Sequence, residues 1–174
     1  MNDVLQFYAF SADKKTGEGV GDSVHLATDY DELNKVRNWR RMFSSFWSED
    51  PFIFNNQTYT SFEHAYQASK YVINGYADYA FEFCLESGSQ LSTLTGKDVQ
   101  KAGRKFILSD EQIKRWDEIM PEIKKHIYEA KFTKDSRPGQ TLVLTKNTIL
   151  INAGPRIKRI HCTRLEELRT QIQK

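Results

Sequence analysis

Three stretches of this sequence carry the signature with which a helix closes its own first turn: Thr60-Ser61-Phe62-Glu63, Ser109-Asp110-Glu111-Gln112 and Thr163-Arg164-Leu165-Glu166. A Ser or Thr at the N-cap accepts from the N–H of the third helical residue. A Glu or Gln at that position reaches back to the cap's own N–H, so two orphan donors are satisfied together. Apolar residues at helical spacing follow each signature. After Thr60, taken as the N-cap with Glu63 at N3, the stripe is Phe62, Ala65, Ser69, Val72 and Ile73, with Gly75 as the stop. After Ser109 it is Ile113, Trp116 and Met120, then Ile123, Ile127 and Ala130 toward Phe132, with Pro121 expected to kink the helix or begin a new one. After Thr163 it is Leu165, Leu168 and Ile172.

Around these helices the remaining signals are shorter. Gln6–Phe10 reads as a strand, and Phe52–Phe54 and Gln57–Tyr59 as a hairpin turned by Asn55-Asn56. Thr148–Ile151 is a further, mostly β-branched strand. Asp29–Trp39, Ala77–Leu85 and Lys97–Arg104 read as short helices, and Thr133–Gln140 as a loop around Arg137-Pro138-Gly139. The expected class is α+β, mainly helical, with a small sheet. At 174 residues the expectation is one domain, 1–174.

Lys and Arg number 25 against 23 Asp and Glu, a net charge of +2 that argues against a bulk polyanion binder and leaves room for one local anion site. No apolar run approaches the roughly 20 residues that span a bilayer, and Met1–Phe10 lacks a signal-peptide pattern, so a cytoplasmic protein is expected, without membrane association. Cys84 and Cys162 match no metal spacing and are expected to be unbridged. Aromatic residues make up 13%, and their faces serve a core and a base-binding pocket equally well.

Glu63, Gln67 and Lys70 stand at i, i+4 and i+7, so they project from one helix face. A carboxylate and an amine about two turns apart can flank one ligand, the first as general acid or base, the second as a nucleophile toward an aldehyde. The bland alternative is equally simple: Glu63 completes a capping box and Lys70 is solvated. His64, on another stripe, reads as a histidine packed under the helix; it has no second ligand at metal spacing. Gly17, Gly19 and Gly21, with Lys14 and Lys15, form either a surface loop or a backbone nest for a phosphate. Trp39-Arg40-Arg41 and Phe46-Trp47 could clamp a phosphate and stack a base, or make a core corner. Trp116 lies on an apolar stripe, as core or as pocket wall.

Taken in order, Phe7-Tyr8, Arg41-Met42-Phe43-Ser44-Ser45-Phe46-Trp47, Pro51-Phe52 and the block from Ser61 to Lys70 resemble the YbiA/NADAR family, with Gly103-Arg104, Trp116 and Ala130-Lys131-Phe132 following in the family's order. The resemblance implies a YbiA-like fold and N-glycosidase activity on a ribose or ADP-ribose carbon bonded to nitrogen. The substrates it implies are a small nucleotide (a ribosylamino intermediate of riboflavin biosynthesis) or ADP-ribosylated guanine in nucleic acid. It implies Glu63, Lys70 and Trp116 as catalytic, and Arg41, Phe46, Trp47, His64, Gln67, Arg104 and Asn152 as substrate-binding. Such hydrolysis needs no metal or redox cofactor and no obligate protein partner. One segment departs from the pattern: where the family carries an aspartate before a Trp-Gly pair, this chain reads Ile151-Asn152-Ala153-Gly154-Pro155. Asn152 cannot be an anionic base. That departure is the basis of an alternative reading, a protein that binds ADP-ribose or a nucleotide with weak turnover or none.

Overall fold

A computed structural model describes residues 2–174. The fold is α+β, with helices dominating and the strands confined to two small sheets. No helix among the described residues is long and apolar enough to cross a membrane. The chain divides into two compact units, one formed by residues 2–44 with 132–174, the other by 45–131.

In the first unit, β1 (Val4–Phe7) runs parallel to β4 (Ile149–Gly154), with Val4 opposite Ile149 and Phe7 opposite Asn152; β5 (Ile157–His161) returns antiparallel along the other side of β4. Leu5 and Phe7 of β1 and Leu150 of β4 point into the core. The helix α8 (Thr163–Ile172) buries Leu165 and Leu168 beside β4. Phe43 closes the core, meeting Phe7 edge-on at 5.7 Å and Phe132 at 6.1 Å. The helical stretch expected over Asp29–Trp39 is broken into α1 (Asp31–Asn34) and α2 (Trp39–Met42) by Asn38, whose φ of 58° no helix continues through.

The glycine segment is not a phosphate nest in this fold, because a carboxylate of the chain itself already fills it. The Asp22 side chain accepts from the backbone N–H groups of Gln6 at 2.9 Å, Gly17 at 3.0 Å and Gly19 at 3.3 Å. Arg40 closes the same carboxylate with a two-pronged ion pair at 3.0 and 2.7 Å and gives its remaining donors to the carbonyls of Gln6, Lys14 and Lys15. Arg40 is thus a buried structural cation, stacked 4.2 Å over the Trp39 ring, and not a phosphate clamp. Gly19 is required because a Cβ there would sit 2.7 Å from the Arg40 guanidinium carbon.

The second unit begins with the expected hairpin, β2 (Phe52–Phe54) and β3 (Gln57–Tyr59), turned by Asn55 and Asn56, both at positive φ. Then come α3 (Phe62–Ile73), α4 (Ala77–Phe81), α5 (Lys97–Ala102) and α6 (Asp110–Lys131). Gly75, at φ +86°, ends α3 with a left-handed residue, as its position predicts. Tyr71, Tyr79, Phe83 and Phe106 pack as an aromatic cluster below α3.

The Ser109 capping box forms reciprocally: Ser109 N–H donates to Gln112 Oε1 at 2.9 Å, and Gln112 N–H to Ser109 Oγ at 3.3 Å. Pro121 does not divide α6, which continues through it from Asp110 to Lys131. The carbonyl it leaves unpaired belongs to the exposed Asp117, where water can serve. At Thr163 the box does not form. Thr163 is already helical, and Glu166 instead accepts from the N–H of Leu150 at 2.8 Å, tying α8 to β4. The expected loop at Arg137-Pro138-Gly139 is the first turn of α7 (Arg137–Leu144), capped by Ser136, whose Oγ accepts from Gly139 N–H at 3.0 Å. Proline is favourable at a helix start, and Gly139 is small because Thr133 O lies 1.8 Å from where its Cβ would be.

Candidate functional site

The site is built on α3. Its N-cap is Ser61, one residue later than Thr60: the Ser61 backbone is extended and its Oγ accepts from His64 N–H at 3.4 Å. Thr60 turns instead to the Ser92 carbonyl, 3.0 Å away. The shift places Glu63 at N2, still in the first turn, where the exposed N–H groups favour a negative charge.

His64 is fully buried. Its Nε2 lies 3.1 Å from the Leu91 carbonyl, which assigns the proton to that nitrogen, and Nδ1 then accepts from Ser61 Oγ at 2.8 Å. Burial pushes its pKa down to about 4, against the opposing pull of Leu91. His64 is therefore a neutral strut of the helix start, and its expected place among substrate-binding residues is corrected on that ground.

Glu63 and Gln67 form the polar stripe that the sequence draws, and the structure buries both. Gln67 Nε2 donates to Glu63 Oε1 at 2.7 Å, while Glu63 Oε2 accepts no hydrogen bond among the described residues. Burial raises the Glu63 carboxyl above its ordinary range, opposed by the Gln67 hydrogen bond and by the charges of Lys70 and Lys124. Gln67 Oε1 is buried with no hydrogen-bond partner among the described residues. Gly103 lies against that amide; a Cβ at 103 would approach its Cδ and Oε1 to 2.2 Å.

Lys70, one turn further, is half-buried and donates its Nζ to the Gly103 carbonyl. Burial lowers its pKa; Glu63 opposes the shift and Arg104 adds to it. The exposed Arg104 therefore lies within electrostatic reach of Lys70.

Tyr66 links α3 to α6. Trp116, Met120 and Lys124 stand at i, i+4 and i+8 of α6, and all three converge on its ring. The Trp116 ring meets Tyr66 edge-on at 5.1 Å, Met120 Sδ accepts from the Tyr66 hydroxyl at 3.2 Å, and Lys124 Nζ lies 5.4 Å from the ring centroid. Trp116 thus reaches the carboxylate stripe through Tyr66. Neither Tyr66 nor Lys124 stands out in the sequence as a site residue. The available signal was the shared helical spacing of Glu63, Tyr66, Gln67 and Lys70 at i, i+3, i+4 and i+7.

The remaining expected site residues have other surroundings. Trp47 is buried and donates Nε1 to Asp50 Oδ2 at 2.5 Å; Phe46 is half-buried beside Gly96. Arg41 and Asn152 belong to the first unit. Arg41 Nε donates to the Ser11 carbonyl at 2.6 Å, and Asn152 is half-buried on β4 opposite Phe7 and Ile160.

The chain matches no protein-family model, no curated protein and no solved structure.

Proposed function

We propose that this protein is an N-glycosidase, acting in the cytoplasm on the bond between a ribose carbon and a base nitrogen. The substrate is a ribosylamino intermediate of the riboflavin pathway or an ADP-ribosylated guanine. The carrying observation is the Glu63 carboxyl: buried, fixed at one oxygen by Gln67, open at the other, and raised in pKa. The motif order from Phe7 to Phe132, similar to that of the YbiA/NADAR family, supports the same reading.

In the reaction the C–N bonding pair leaves with the nitrogen and positive charge develops on the ribose ring. A buried carboxylate stabilises that oxocarbenium-like state, as in O-glycoside hydrolysis. Water then adds to the anomeric carbon and gives a proton to Glu63, whose raised pKa suits a group that must both take and return one. Lys70 binds a substrate phosphate or, through its lowered pKa, captures a ring-opened ribose as a Schiff base. Trp116 and Tyr66 supply aromatic surface on the base side, and Arg104 adds charge for phosphate.

Incubation with a ribosylamine substrate and, separately, with ADP-ribosylated guanine DNA, followed by mass spectrometry, tests this. Release of free base by the wild type and not by a folded Glu63→Gln variant is the expected result. A second reading, ligand binding without turnover, draws on the neutral Asn152 at the place of the family's aspartate. Calorimetric binding of ADP-ribose with no released base from either substrate would select it.

A further inference from the structure

The net charge of +2 averages over an uneven distribution. From Lys146 to Leu165 the chain holds Lys146, Arg156, Lys158, Arg159 and Arg164 and no acidic residue, which leaves 20 basic against 23 acidic residues elsewhere. Arg156, Lys158 and Arg159 lie in a run of seven consecutive exposed residues, Pro155 to His161, comprising β5 and the turn before it. Among the described residues their side chains form no ion pair or hydrogen bond. Several other surface lysines are held by a carboxylate three residues earlier in the chain: Lys35 by Glu32, Lys101 by Asp98, Lys125 by Glu122.

The strand that presents these cations is an edge. β5 is bonded to β4 on one side and, among the described residues, to no strand on the other. Alternation along a strand sends Lys158 to one face and Arg159 to the other, and the exposure of every residue shows both faces open. A flat acidic protein surface or a lipid headgroup layer would meet only one of those faces. A groove with an anionic wall on each side meets both. The major groove of duplex DNA, about 12 Å wide and rimmed by phosphates, admits β-strands, and two long basic side chains pointing in opposite directions reach its two rims. Ile157 and Ile160, 44% and 51% exposed, interleave with the cations and offer apolar contact to thymine methyls.

We infer that β5 and its preceding turn form a docking edge for duplex DNA, with Arg156, Lys158 and Arg159 on backbone phosphates. This stands apart from the N-glycosidase reading and holds whether or not Glu63 turns a substrate over.

Fluorescence anisotropy of a 20-base-pair duplex titrated with the full chain, across 50 to 200 mM salt, tests it. Three phosphate contacts predict a slope of log K against log salt of roughly −3, at about −0.9 per contact. Changing Lys158→Gln and Arg159→Gln together should flatten the slope to roughly −1 and weaken binding at least about tenfold at 50 mM salt. Lys35→Gln, an exposed lysine elsewhere in the same unit, should change neither. Circular dichroism verifies that the exposed substitutions leave the fold intact. The inference is overturned by absence of duplex binding at 50 mM salt, by a slope unchanged in the double variant, by an equal loss in the Lys35 control, or by tighter binding to polyglutamate or phosphatidylserine vesicles than to the duplex.

Discussion

Gln67 Nε2 donates to Glu63 Oε1 across 2.7 Å, one turn along α3, with both side chains buried. Burial and this hydrogen bond act on the carboxylate in opposite senses. Burial disfavours its charged form, while the amide hydrogen bond favours it. The amide also holds the carboxyl by Oε1, leaving Oε2 without a hydrogen bond among the described residues.

Replacing Gln67→Leu removes the bond that favours the charged form and leaves the burial in place. The Glu63 pKa should rise further, and the acidic limb of the pH–activity profile should move to higher pH with it. Leaving a buried acceptor without its partner should cost about 1–3 kcal/mol of stability. A pH–rate profile checks the first effect and urea denaturation the second. An unmoved acidic limb would separate Glu63 from the rate-determining protonation.

Gly103→Ala tests the packing behind that clamp. The Gly103 backbone has an ordinary φ of −63°, so alanine brings no backbone strain, and its whole effect is the collision with Gln67. Overpacking of this kind should destabilise by about 1–3 kcal/mol. Shortening the partner relieves it, so the double variant Gly103→Ala with Gln67→Ala should be more stable than the sum of the single losses predicts. Thermal melts of the four proteins complete the cycle. Strict additivity would show that the two positions do not meet.

Much of the helical frame was legible because capping chemistry is local. The reciprocal Ser109–Gln112 bonds involve only residues three apart, so the sequence contains everything that decides them. The Thr60 and Thr163 signatures failed where a tertiary partner competed. Ser92 takes the Thr60 hydroxyl, and Leu150 takes Glu166. The site was half legible for the same reason. Helical spacing groups Glu63, Gln67 and Lys70 on one face, but nothing in that spacing says that the face is buried. Val72, counted as an inward residue, is 57% exposed, while the polar Gln67 is 6% exposed. Which of the two readings of the glycine segment holds is decided only in the folded chain, where Asp22 meets its partner Arg40 and the segment becomes a surface loop closed on the chain's own carboxylate.

That ion pair carries its own expectation. The side chains of Asp22 and Arg40 are 0% and 3% exposed, and together they satisfy the N–H groups of Gly17 and Gly19 and the carbonyls of Gln6, Lys14 and Lys15. Arg40→Met would strand a buried carboxylate and should cost about 3–5 kcal/mol. Glu32→Gln, which breaks the exposed pair with Lys35, should cost well under about 1 kcal/mol. Chemical denaturation of both variants makes the comparison. Similar losses would mean that solvent reaches the Asp22 nest.

His64 makes stability depend on pH in a definite direction. In the folded chain its pKa is pushed down to about 4 by burial, whereas in the unfolded chain it returns to about 6.5. Between those values the unfolded state binds the proton and the folded state does not, so stability falls as pH drops through that window and is fully present above it. The shift corresponds to about 3 kcal/mol at most, lost progressively from pH 6.5 toward pH 4. Glu63 works in the opposite sense, because its raised pKa means that losing its proton in the fold is costly as pH rises. The measurement is therefore cleanest in a Glu63→Gln background. There, urea denaturation from pH 7 to pH 5 should show stability falling with a slope approaching one proton taken up on unfolding. Carbon and nitrogen NMR of the imidazole should show a neutral ring protonated on Nε2 down to pH 5. A ring that titrates near 6.5 in the folded protein would overturn the assignment of His64 as a buried neutral strut.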